Sequence, residues 1–132
     1  RAEAPKVPDP GETVYQMACL SCHQADRKGL PGVYPPLAGT EWIAGDKKSL
    51  IKIVLHGLKG PIKVAGRDYG VGENSIPMPP MGGLEDQQIA DVLSYLRAQD
   101  GVNDLVSKDE VRALRNAHKS RIESWTVEQL KE

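Results

Sequence analysis

Apolar residues recur at helical spacing in four stretches of this chain, and the segments between them are dense in glycine and proline. Val14, Tyr15 and Ala18 form one face of the first stretch, which Asp9 can cap and Pro10 can open. Leu50, Ile51, Val54 and Leu55 predict a second helix from about Lys47 to His56, with Asp46 as its cap and Gly57 as its stop. The third stretch is the clearest. Glu85 and Asp86 stand in its first turn, and Ile89, Val92, Leu93 and Leu96 follow at i, i+3, i+4 and i+7. Residues 1–8 are proline-rich and irregular, a flexible leader on this reading. Residues 24–45 and 60–83 carry glycine and proline at short intervals and read as loops, the first of them Ω-like. No stretch shows a convincing strand pattern, so the expectation is an all-α fold of three main helices.

The fourth stretch lies beyond that core. Ser107 and Glu110 make a capping box, after which Val111, Leu114, His118, Ile122 and Trp125 follow at roughly heptad spacing. Thr126 and Gln129 repeat the capping signature and predict a short final helix. So narrow an apolar stripe, ending in Trp125, must lie on something: the core of the same chain, or another subunit. The expectation is a structural brace remote from the chemistry. The chain therefore divides into a leader (1–8), a main domain (9–104) and a helical C-terminal extension (105–132).

A length of 132 residues suits one core with an appendage, yet the chain has no Phe and only 5% aromatic residues. A large apolar macrocycle would supply core area that the side chains lack. The net charge of −1 does not point to nucleic acid. No apolar run approaches the length of a membrane span, and no signal-peptide core is present, so the chain reads as soluble and either processed or excised from something longer.

The two cysteines of the chain fall in Cys19-Leu20-Ser21-Cys22-His23. C-x-x-C-H is the spacing of c-type haem attachment, in which Cys19 and Cys22 anchor the vinyl groups and His23 ligates the iron. Other readings exist. A structural zinc needs four Cys or His ligands, and only His56 and His118 could join the three residues here. A thioredoxin-like pair needs a βαβ setting that the pattern lacks, and a plain disulfide leaves His23 unexplained.

Three features in order resemble the class I cytochromes c, over roughly Asp9 to Arg97: Gly11-x-x-x-Tyr15 before the haem motif, Pro35-x-Leu37 in the next loop, and Met78-Pro79-Pro80-Met81-Gly82-Gly83-Leu84 ahead of a helix containing Tyr95. The resemblance implies a cytochrome c fold wrapped round one covalently bound haem c. It also implies that Met78, immediately before the first proline, is the second axial ligand; Met81 is the neighbouring alternative, best read as core packing, and His56 would be a ligand only if both failed. Pro79 and Pro80 would stiffen the ligand loop. The Pro35 carbonyl would accept the His23 Nδ1 proton, and Leu37 would pack on the porphyrin. Trp42 and Tyr69 are candidates to hydrogen-bond the haem propionates, or else ordinary partly buried aromatics. Gly11 fits a close crossing of the first helix over the last, near Tyr95.

Lys47, Lys48 and Lys52, with Lys59, Lys63 and Arg67 beyond them, form a basic run that is either a docking patch for an acidic redox partner or a solvated helix face. The function expected is a one-electron carrier, not an enzyme, passing electrons between a respiratory donor and a terminal oxidase or reductase. The alternatives are the haem domain of a larger dehydrogenase or reductase, and a haem sensor or enzyme with a labile axial Met. Since haem is attached outside the bacterial cytoplasm in this family, the chain is expected to be periplasmic or otherwise exported.

Overall fold

A computed structural model describes residues 9–73 and 75–131; the proposed leader lies outside them. Helix α1 (Pro10–Ala18) starts where the Asp9 carboxylate accepts from Gly11 N at 2.8 Å, with Pro10 in the first turn. The single turn α2 (Leu20–His23) carries the cysteine motif, and α3 (Glu41–Ala44) is a second short turn capped by Thr40. Helix α4 (Lys47–His56) is capped by Asp46 and stopped by Gly57, whose φ of +81° is a conformation that favours glycine. Strands β1 (Ile62–Val64) and β2 (Arg67–Tyr69) pair antiparallel with Ile62 opposite Tyr69, Lys63 opposite Asp68 and Val64 opposite Arg67. Helix α5 (Asp86–Gln99) opens with a reciprocal capping box between Glu85 and Gln88. The extension contributes α6 (Lys108–Ala117) and α7 (Val127–Leu130), each opened by its own capping box.

The architecture is all-α apart from the hairpin, and that hairpin corrects the reading of 60–83 as loop alone. Its strands are three residues long, too short for alternation to register in a sequence. Ala65 and Gly66 at φ of +51° and +80° supply the tight reversal. Helix α3 holds it in place: the Glu41 carboxylate accepts from Ala65 N at 2.7 Å, and Trp42 Nε1 donates to Lys63 O at 2.8 Å.

The core forms where α1 crosses α5. At the crossing, a Cβ on Gly11 would collide with the Asp91 carbonyl and the Tyr95 Cβ, so only glycine permits the approach. Tyr15, Ile43, Ile51, Ile89, Val92 and Leu96 are buried around it. Arg97 is also buried, and its guanidinium is held by three hydrogen bonds: Nη1 donates to Ile43 O and Gly45 O, both at 2.9 Å, and Nε donates to Asp104 O at 2.7 Å. The Asp104 carboxylate lies 3.8 Å away and balances the charge.

The extension packs on this core. Val111 is completely buried in the main cluster, and Arg115 donates to Asp86 Oδ1, Gly82 O and Leu84 O, each at 2.7 Å. The predicted stripe does not run through to Trp125, however. Helix α6 ends at Ala117, and Ile122 is 96% exposed. Heptad spacing aligns residues only while a helix continues; beyond Ala117 the chain turns instead so that Trp125 meets Leu58.

Candidate functional site

The Cys19–His23 motif forms one tight turn, in which Cys22 N and His23 N both donate to Cys19 O. His23 is buried and its Nδ1–H donates to Pro35 O at 2.9 Å. A carbonyl can only accept, so this bond fixes the proton on Nδ1 and leaves the lone pair on Nε2. Burial holds the imidazole below its ordinary pKa, outweighing the opposing effect of the Pro35 bond, which keeps the ring neutral and able to ligate.

The backbone after His23 makes that contact possible. Gln24 has φ +71° and ψ 164°, a conformation uncommon outside glycine. It is held by Tyr15 Oη, which donates to Gln24 O at 2.6 Å, and by Gln24 N, which donates to Leu20 O at 2.8 Å. Burial pushes the Tyr15 phenol up to about 12, so it stays a donor. Gly29 lies so close to the Tyr34 and Pro35 carbonyls that a Cβ would collide with both. Leu37 N and Ala38 N then donate to Arg27 O at 2.8 and 3.0 Å and bring Pro35 back over His23.

Cys19, Cys22, His23 and Pro35 line a cavity of about 240 Å³ together with Tyr69 and Met78. It adjoins an apolar cleft lined by Leu37, Trp42, Val54, Leu58, Met81 and Leu93. Both Met78 and Met81 line both spaces. They differ in support: Met81 packs on the main core and Met78 on a separate cluster of Ile53, Trp125 and Leu130. Burial pushes the Cys19 thiol up to about 11, with Cys22 adding to the effect, and both cysteines are free. Two thiols in one turn, a neutral imidazole and two thioethers in an apolar wall suit the attachment points and iron ligands of a covalently held haem.

They are not the donor set of a zinc site. His56 and His118 lie elsewhere, each edge-on to Trp125, and among the described residues no cluster of three or more His, Cys, Asp or Glu could hold a metal. The Trp42 ring lines the cleft, and its N–H donates to Lys63 O; the hairpin that takes it was not legible in the sequence. Two members of the basic run are drawn inward: Lys47 pairs with Asp104 and Glu110 at 2.9 and 3.0 Å, and Lys52 is buried with its ammonium 5.1 Å from the Trp125 ring centre, whereas Lys48, Lys59, Lys63 and Arg67 are exposed. The acids and the indole all come from the segment after α5. Leu58, Gly57 and Trp125, which sequence reasoning did not connect to the site, join it through backbone pairing that no local pattern announces.

The site defines a class: a small helical domain whose loops enclose one covalently attached haem. The chain belongs to the cytochrome c family, which it matches over residues 8–100. It is 39% identical over 90 residues to cytochrome c-552 of Thermus thermophilus, covering 65% of this chain and 64% of that protein. It is 34% identical over 129 residues to the gluconate 2-dehydrogenase cytochrome c subunit of Pantoea cypripedii, covering 90% of this chain and 28% of that protein. It is also 31% identical over 94 residues to the cytochrome c subunit of the quinone-dependent alcohol dehydrogenase of Gluconacetobacter polyoxogenes, covering 70% of this chain and 19% of that protein. The chain thus spans less than two thirds of these relatives. The cofactor of this cytochrome c domain is a covalently bound haem c, and its chemistry is electron transfer. No helix among the described residues is long and apolar enough to cross a membrane.

Proposed function

We propose that this chain is a one-electron carrier and not an enzyme, with Cys19 and Cys22 as thioether anchors, His23 as proximal ligand and Met78 as the second axial ligand. The observation that carries the reading is the His23 Nδ1–Pro35 O bond, because it presents the Nε2 lone pair of a neutral ring to the cavity that Met78 also lines. Bound there, haem iron supplies a ferric/ferrous couple, and a thioether ligand raises its potential by favouring the ferrous form. With His23 and Met78 both engaged, no axial position is open to a substrate, and the protein's part is to hold ligands, exclude water and tune the potential. Leu37 and Tyr69 wall the haem, and the electron donors and acceptors are redox proteins such as a respiratory dehydrogenase, an oxidase or a reductase. The work of attaching haem to two reduced thiols makes the chain an exported, periplasmic one.

Redox titration of the haem-loaded chain should give one reversible one-electron step, and the ferric form should show the charge-transfer band of sulfur ligation. Met78→Ala should abolish that band and lower the potential, whereas Met81→Ala should keep it. Loss in Met81→Ala alone would move the ligand to Met81. Haem loading should require secretion, and efficient loading of a cytoplasmically retained chain would contradict the compartment.

The dehydrogenase cytochrome subunits among the relatives favour a second reading, in which the chain serves as the haem domain of a larger assembly. Reduction by a purified sugar or alcohol dehydrogenase at rates that saturate with chain concentration would support it.

A further inference from the structure

Leu58 is the middle rung of a three-segment ladder. On one side its N–H donates to Met78 O at 3.1 Å and its carbonyl accepts from Met78 N at 2.9 Å. On the other, Trp125 N donates to Gly57 O at 3.0 Å and Lys59 N donates to Trp125 O at 2.8 Å. The backbone that bears Met78 is thus tied, through one intervening segment, to the C-terminal extension.

The side chains repeat the connection. Trp125 is only 4% exposed and clusters with Ile53 and Leu130, and Met78 and Leu58 pack against that cluster. The Arg121 guanidinium lies 3.6 Å from the indole centre and the His118 ring 5.0 Å from it, edge-on, so the indole is enclosed on several sides. The Met78 loop has little to hold it otherwise. Ile76, Pro77, Pro79 and Pro80 are exposed, and its other ties to the protein among the described residues are Met81 N to Val54 O at 2.7 Å and the Arg115 bonds to Gly82 O and Leu84 O. Arg115 also belongs to the extension.

We propose that Trp125 is a positioning residue for Met78: the C-terminal extension latches the ligand loop through the Leu58 rung and keeps the sulfur at the iron. The inference rests on the reading of Met78 as ligand. It replaces the expectation that the extension braces the fold at a distance from the chemistry. A methionine sulfur is a weak ligand, so its occupancy depends on how far its loop is already confined before the bond forms.

Imidazole added to the ferric, haem-loaded full chain must displace this sulfur, so its apparent affinity reports the fraction of molecules in which the loop is open. Trp125→Ala should raise imidazole affinity by about tenfold or more and weaken the charge-transfer band. Val14→Ala, which trims the buried core at α1 away from the loop, should lower the melting temperature without changing imidazole affinity. Trp125→Phe, which keeps a buried aromatic ring, should restore affinity to within about threefold of the parent. Should Trp125→Ala fail to load haem, Trp125→Leu carries the same comparison. Equal increases in Trp125→Ala and Val14→Ala, or an unchanged affinity in the tryptophan variant, would overturn the latch alone. Absence of the charge-transfer band in the parent chain would overturn the Met78 reading and the latch with it.

Discussion

Gly57 shows how one residue can serve two parts of the molecule. Its φ of +81° ends α4, a role the sequence announces, but a Cβ there would also strike the Met78 carbonyl oxygen and crowd Pro80 N at 3.0 Å. The backbone strain and the collision act together, so Gly57→Ala should cost about 1–3 kcal/mol, measurable as a lowered denaturation midpoint. It should also weaken the sulfur charge-transfer band. An equivalent change at Gly32, which has φ +77° but open space where a Cβ would stand, should strain the backbone and leave the band alone. Tyr15 offers a gentler test. Tyr15→Phe removes the bond to Gln24 O and leaves a strained residue with the Leu20 bond in place, which should cost about 1 kcal/mol without loss of the haem.

At the scale of elements, α6, α7 and the turn between them behave as one unit organised by Trp125. His56 and His118 both meet its ring edge-on, and both have pKa values below the ordinary 6.5. Burial is the leading cause in each case. Arg121, His118 and Arg115 add to it at His56, and Lys52 and Arg121 add to it at His118. The folded chain therefore binds fewer protons than the unfolded chain in mild acid. Stability from these groups is fully present above pH 6.5 and is lost as the pH falls through 6.5 toward the lower folded values. The melting temperature should drop over that interval, and a His56→Gln, His118→Gln variant should drop less. The same cluster draws Lys52 out of the basic run, and Lys47 is committed to Asp104 and Glu110.

For the whole molecule, the extension joins the stability of the fold to that of the haem site. Val111, Trp125 and Leu130 are all buried, and side chains of this kind contribute roughly 1.5–3 kcal/mol each as an upper estimate. Against a net stability of about 5–15 kcal/mol, their loss is large. Truncation after Asp104 should accordingly lower the melting temperature by many degrees, and it should also weaken the Met78 charge-transfer band. A truncated chain with a lowered melting temperature and an intact band would mean that the extension only braces the core.

Much of this protein is determined by sequence over short distances. The caps at Asp9, Asp46, Ser107 and Thr126, the stop at Gly57 and the faces of α1, α4 and α5 follow from neighbours within a turn or two. The cysteine motif is equally local, since its thiols and imidazole come from one five-residue segment. What tertiary structure alone decided involves partners distant in the chain. The Trp42 N–H goes to a hairpin carbonyl 21 positions away, Lys47 finds acids 57 and 63 positions on, and Trp125 pairs with Leu58, which in turn holds Met78. Periodicity reports which face of an element is apolar, but it carries no information about which surface that face will meet. Stop signals after Ala117 are weak, so the stripe reads as continuous although the chain turns there toward the ligand loop.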